Sequence, residues 1–181
     1  MENNLCIAGF GGQGVMTFGK LLATAVCDNT DYNVTFFPSY GAEQRGGTAN
    51  CYLIISDREI GTPMSDILDD LVVLNQPSYD KFVSKLKMGG RLFVNSSIVK
   101  PTSDRSDIQI ISVPATDIVV GMGNIKVLNI FMLGVYIGYT EIVPSESIWK
   151  SIMEKMAGKP SLVELNKNAF EQGIELGRSQ K

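Results

Sequence analysis

Leu5-Cys6-Ile7-Ala8-Gly9-Phe10-Gly11-Gly12-Gln13-Gly14-Val15 places an apolar run, a glycine cluster and the start of an amphipathic segment in direct succession. The four apolar residues predict a buried strand. From Val15 on, Val15, Phe18, Leu21, Leu22, Ala25 and Val26 fall on one helical face. Between strand and helix, Gly9–Gly14 form G-x-G-x-x-G. In such a turn Gly9 permits the tight bend, Gly11 lets a ligand approach the backbone, and Gly14 lets helix pack close on strand. Backbone N–H groups and the positive helix end then favour phosphate or another anion. A tight turn that binds nothing is the alternative reading.

The rest of the chain repeats the alternation. Val34-Thr35-Phe36-Phe37 predicts a second strand ended by Pro38, and Ser39–Gly47 a polar, glycine-rich loop. Further strands are expected at Ala49–Ser56, Leu71–Leu74, Leu92–Val94 and Ile108–Val113. Pro77 opens a helix that should run to about Met88 and stop at Gly89-Gly90. After Pro114 the pattern turns helical: Thr116–Val120, Ile125–Tyr139, a helix with Ser145 as N-cap, and a last one with a Ser161/Glu164 capping box. These elements predict one domain over residues 1–181. Its fold class is α/β: a Rossmann-like three-layer αβα arrangement with a mainly parallel sheet and a helical C-terminal third.

Composition narrows function. The 181 residues carry 44% hydrophobic and 19% charged residues with net charge −3, against a disordered chain and against a nucleic-acid binder steered by basic charge. No histidine occurs, which excludes a Ser-His-Asp triad and any His-ligated metal on this chain. Cys6, Cys27 and Cys51 lie far apart without a C-x-x-C, so neither a zinc nor an iron–sulfur framework is available. Met1-Glu2-Asn3-Asn4 does not read as a secretory signal, and Asn129 and Glu141 interrupt the apolar stretch Val127–Val143. The reading is a reduced, cytoplasmic protein outside the membrane.

A nicotinamide site of this type needs Asp or Glu at the end of strand two. Here that strand ends Phe36-Phe37-Pro38-Ser39, with Asp31 before it and Glu43 well beyond. The loop therefore lacks half of the dinucleotide code. Tyr40-Gly41-Ala42-Glu43-Gln44-Arg45-Gly46-Gly47 follows, and Arg45 there can hold an anion bidentately or pair with Glu43.

The glycine loop with Val15 and Lys20, followed by Tyr40-Gly41-x-Glu43-x-Arg45-Gly46-Gly47, resembles the gamma subunit of 2-oxoacid:ferredoxin oxidoreductases. The likeness extends through Ile60, Pro63, Leu71–Leu74, Asn129–Gly134 and Asn168-Ala169-Phe170 with Gly173, nearly the whole chain. Tyr40–Asn50 is most like the 2-oxoglutarate branch, with pyruvate, 2-ketoisovalerate and indolepyruvate branches open.

The resemblance implies a chain inert alone, within an enzyme that decarboxylates a 2-oxoacid, passes electrons to ferredoxin and delivers the acyl group to coenzyme A. It puts thiamine diphosphate, magnesium and iron–sulfur clusters on alpha and beta partners and on a ferredoxin-like delta subunit where one is present. It sets coenzyme A against Gly9, Phe10, Gly11, Gly12, Gln13 and Gly14, with Lys20 as a phosphate contact and Arg45 on either coenzyme A or a partner subunit. An exposed apolar patch should make the isolated chain self-associate. The alternatives are a self-sufficient NAD(P)-binding oxidoreductase and a purely structural spacer. Gly134 and Gly138 predict close packing on the sheet or a neighbouring subunit, and Trp149 an interface anchor or a core residue.

Overall fold

A computed structural model describes residues 1–40, 48–157 and 160–181. Six strands form one sheet: β1 (Glu2–Phe10), β2 (Asn33–Tyr40), β3 (Thr48–Ser56), β4 (Leu68–Val73), β5 (Leu86–Asn95) and β6 (Gln109–Val113), in the order β2-β3-β1-β4-β5-β6. β1, β4, β5 and β6 pair in parallel, whereas β3 runs antiparallel to both β1 and β2. Only β3 is therefore reversed. A hairpin stands where a crossover helix would join two parallel strands.

The helices are α1 (Val15–Asn29), α2 (Gln76–Phe82), α3 (Ala115–Gly121), α4 (Leu128–Thr140), α5 (Ser145–Lys155) and α6 (Pro160–Ser179). Alternation along each strand divides the core. Leu5, Ile7, Cys51, Leu53, Val72 and Phe93 face the helical layer with α1 and α4, and Cys6, Ala8, Leu71, Val73 and Leu92 face Tyr79 and Phe82 of α2. The three layers are unequal, because the C-terminal helices all join α1 on one face. α4 is buried from Leu128 to Gly138, which explains its uniformly apolar sequence.

Several expectations are corrected. β2 continues through Pro38 to Tyr40; it is an edge strand, where a missing N–H breaks no ladder bond. The helix begun by Pro77 is capped by the Asn75 side chain, which accepts from the Ser78 N–H at 2.8 Å, and it ends at Phe82 rather than Met88. Gly89 and Gly90 do not stop a helix. They sit in β5, where the pairing with β4 shifts between Leu68↔Leu86 and Asp70↔Arg91, and glycine suits such a bulge.

Ser145 is the first residue of α5 and makes no capping bond, and Ser161 lies inside α6. Gly134 and Gly138 face α6, not the sheet, and Trp149 stacks on Phe170 at 6.2 Å.

Cys6 and Cys51 are fully buried, while Cys27 is exposed. Burial pushes the Cys6 thiol up to about 12 and that of Cys51 higher still. A thiolate reagent at pH 8 should titrate one cysteine in the folded chain and three after denaturation. Unfolded thiols ionise near pH 8.5. From about pH 9 upward the unfolded chain therefore binds fewer protons than the folded one, and stability falls until about pH 12. Replacing Cys6 by alanine should flatten that decline in a melting-temperature series.

Candidate ligand site at the glycine loop

The loop Gly9–Gly14 leaves β1 at the carboxyl edge of the sheet and enters α1. Gly12 and Gly14 have φ of 96° and 78°, in the left-handed region that favours glycine. The turn closes through the Gln13 N–H, which donates to the Phe10 carbonyl at 3.1 Å. The Gln13 side chain then ties the loop inward. Its Oε1 accepts from the Phe10 N–H at 2.6 Å, and its Nε2 donates to the Leu74 carbonyl at 3.1 Å. Both ends of this amide serve the loop, so Gln13 shapes the turn.

The four glycines of the loop fall into two physical groups. A Cβ on Gly9 would meet Gln13 Oε1 at 2.7 Å and Leu74 Cβ at 3.0 Å. On Gly14 it would strike the Asn129 side chain, 2.5 Å from Cγ. Gly11 and Gly12 face open space. The packing glycines are thus Gly9 and Gly14, and the exposed tip is Gly11-Gly12, next to the 39% exposed Phe10. Among the described residues nothing accepts from the N–H of Gly11 or Gly12. The first turn of α1 carries no acid, so the helix end keeps its positive partial charge.

The hairpin brings the second motif to the same edge. Phe10 pairs with Thr48, and Tyr40 with Ala49, so the segment containing Glu43 and Arg45 starts and ends beside the glycine loop. Residues 41–47, Arg45 among them, lie outside the described residues. The hairpin also removes the dinucleotide arrangement. β3, not β2, neighbours β1 on this side, and it brings its amino end to this edge.

Lys20 is exposed on α1, in a groove against α5 lined also by Thr24, Ser151, Glu154 and Lys155. It lies about one and a half turns from Gly14. Sequence reading missed Asn129, Lys126 and Lys155. Asn129, at the start of α4, donates from Nδ2 to the Gly14 carbonyl at 3.4 Å. With Lys126 and Lys155 it lines a cleft of about 200 Å³ between α1, α4, α5 and α6. These residues come from remote parts of the chain, and no local motif links them. No helix among the described residues is long and apolar enough to cross a membrane.

Comparison with known proteins agrees with this architecture. Residues 4–176 match the pyruvate ferredoxin/flavodoxin oxidoreductase family. The chain is 37% identical over 179 residues to the ketoisovalerate oxidoreductase subunit VorA of Methanothermobacter thermautotrophicus, covering 98% of this chain and 37% of that protein. It thus spans little more than a third of that relative's length. It is 35% identical to the 2-oxoglutarate synthase subunit KorC of Methanocaldococcus jannaschii, covering 98% of this chain and 95% of that one. The crystal structure of the keto/oxoacid ferredoxin oxidoreductase gamma subunit from Geobacter sulfurreducens superposes with a TM-score of 0.87 at 29% identity, covering 100% and 99% of the two chains. With the family match over residues 4–176 and relatives above 30% identity that align with nearly the whole chain, the chain belongs to the pyruvate ferredoxin/flavodoxin oxidoreductase family, as a chain of its gamma-subunit type.

Proposed function

We propose that this chain works in the cytoplasm as the subunit of a 2-oxoacid:ferredoxin oxidoreductase that supplies part of the coenzyme A site. The open tip at Gly11-Gly12 carries this reading. It offers N–H groups and a helix end to a diphosphate, with no side chain in the way of the approach. Arg45, on the segment anchored beside Phe10, is proposed to add a guanidinium to the same anion. Lys20 belongs to the neighbouring rim rather than to the loop.

The chain's own donors do not suit the remaining cofactors. It has no histidine, and among the described residues no three His, Cys, Asp or Glu side chains gather to hold a metal ion. Thiamine diphosphate with magnesium and the iron–sulfur clusters are therefore assigned to alpha, beta and delta partners, where they would supply decarboxylation and electron transfer to ferredoxin. The substrate is proposed at the level of a 2-oxoacid, because the 2-oxoglutarate features of Tyr40–Asn50 stand beside an equally similar ketoisovalerate relative. In isolation the chain should self-associate through its unpaired surfaces.

Gly11→Val tests the reading cleanly. The new side chain enters open space, so the fold should be kept. In the assembled enzyme the KM for coenzyme A should rise about tenfold or more, by loss of roughly one charge-assisted hydrogen bond's worth of binding. The KM for the 2-oxoacid should change less than twofold. Equal changes for both substrates, or none, would point to a spacer. Gly14→Ala is a poorer probe, because its methyl group would displace Asn129 whether or not a ligand binds.

A further inference from the structure

We propose that the free edge of β6 pairs with the same strand of a second copy of this chain, antiparallel about a two-fold axis at Ile110, so that one sheet runs through both copies. The inference rests on the self-association proposed above and names its surface; it does not depend on the coenzyme A reading.

The open edge is the first argument. β6 ends the sheet and has β5 as its strand neighbour. The Asp107 and Val113 carbonyls accept from the Gly89 and Ser96 N–H groups on that side, at 2.7 and 2.8 Å. Alternation then turns Gln109 and Ile111 toward β5, and Ile108, Ile110 and Ser112 outward. Among the described residues nothing bonds to the backbone N–H or carbonyl of these three. Natural edges are commonly guarded by a proline, a bulge or a charge. The opposite edge has such a guard in Pro38 of β2. β6 has none: Ile108-Gln109-Ile110-Ile111-Ser112-Val113 contains no proline, glycine or charge, and Gln109, Ile110 and Ser112 are exposed.

Self-complementarity is the second, and it selects the occupant. The outward residues are symmetric about Ile110. When two such edges meet antiparallel, Ile110 faces Ile110 of the copy, and Ile108 faces Ser112 in both directions. Every outward N–H and carbonyl is then used, in about six backbone hydrogen bonds. The same patch serves on both sides, as an isologous contact requires. Ile111 and Val113 belong to the core under α4, so Ile110 projects to the other face, where it is 44% exposed. Pairing sets it against its counterpart and takes apolar surface out of water. Charge does not oppose this. Although the chain carries a net charge of −3, Arg105 and Asp107, which precede the strand, neutralise each other at 2.6 Å. A second copy of the chain brings the matching alternation with it, and a foreign strand does not.

Sedimentation of the full chain reads the pairing. The unmodified chain should be a dimer at high concentration, and Ile110→Lys and Ser112→Pro should each make it monomeric. The lysine sets two like charges opposite each other, and the proline removes an outward N–H that serves no bond within the chain. Circular dichroism should show both variants folded. Single cysteines, placed in a chain with Cys27→Ser, read the register. Across the axis the two Ile110 Cα atoms would lie about 5.5 Å apart, within disulfide range, and the two Ser112 Cα atoms roughly 14 Å apart. On oxidation Ile110→Cys should give a covalent dimer and Ser112→Cys none. Cross-linking at both positions, or at neither, overturns the proposal. A dimer that survives both edge variants also overturns it, while self-association through another surface stands; a strict monomer overturns both. In the enzyme assembled with its partner chains, Ile110→Cys should join two copies of this chain. A cross-link to a different chain would give the edge to that partner and overturn the proposal.

Discussion

Replacing Arg91 by alanine is expected to destabilise the fold by roughly 3–5 kcal/mol, the cost of leaving a buried charge without its partner. Asp70, in β4, is fully buried. Arg91 lies directly across from it on β5 and grips it with a fork, Nε to Oδ1 at 2.5 Å and Nη2 to Oδ2 at 2.7 Å. The Tyr136 hydroxyl and Asn3 Nδ2 also donate to Oδ2, at 2.8 and 2.9 Å. Burial is the largest single influence on Arg91 and opposes its charge, but the hydrogen bond and the charge of Asp70, with smaller help from Tyr136 and Tyr139, together hold the guanidinium above its ordinary range. Burial and the Asp70 charge keep the Tyr136 phenol protonated far above its ordinary range, so it stays a donor.

Without Arg91, a carboxylate would remain in the sheet with two neutral donors. The contrast with exposed pairs sets the scale. Lys85 and Asp66 meet at 2.8 Å but are 31% and 88% exposed, and breaking such a pair costs about 0–1 kcal/mol. Arg91→Lys keeps the charge but not the fork and should fall between. Urea unfolding of the three proteins measures this. A loss below about 1 kcal/mol for Arg91→Ala would show that the network carries no net burden of buried charge. The network sits away from the ligand edge, so any Arg91→Ala enzyme that survives should keep its KM for coenzyme A.

Local pattern made most elements legible, while pairing and depth did not show in it. The strand, glycine turn and α1 are encoded within one another's reach, and every predicted strand exists. What failed depended on partners distant in sequence. Pro38 reads as a terminator unless the strand is known to be at the edge. Gly89-Gly90 read as a helix stop because a bulge is defined only by the strand beside it. The reversed β3 could not be seen, since a continuously apolar strand such as Cys51–Ile55 carries no sign of its direction. The same limit governs the site. Gly9–Gly14 is a contiguous motif, but Asn129, Asn166, Lys126 and Lys155 converge on the cleft only because α1, α4, α5 and α6 pack together. The hold of the Gln13 amide on Phe10 and Leu74 was not legible either, because Leu74 lies 61 residues away.

Gly138→Leu should dislodge α6 from α4, and even Gly138→Ala should destabilise. The two helices meet through glycines on both sides. A Cβ on Gly138 would overlap the Ile174 carbonyl oxygen and lie 2.9 Å from Ile174 Cα. On Gly177 it would overlap the Val135 carbonyl oxygen, and on Gly173 it would lie 3.0 Å from the Val135 nitrogen. All these neighbours are backbone, which cannot turn aside as a side chain can. Alanine gains about 1 kcal/mol of helix propensity over glycine, but overpacking costs about 1–3 kcal/mol or more in a site that cannot yield. The net effect should be a loss, and it should grow steeply with side-chain size.

Melting temperatures of the alanine, valine and leucine variants give the series; a flat or rising series would mean that α6 moves freely. Gly11→Val, by contrast, should leave the melting temperature unchanged, because its side chain enters open space and meets no backbone.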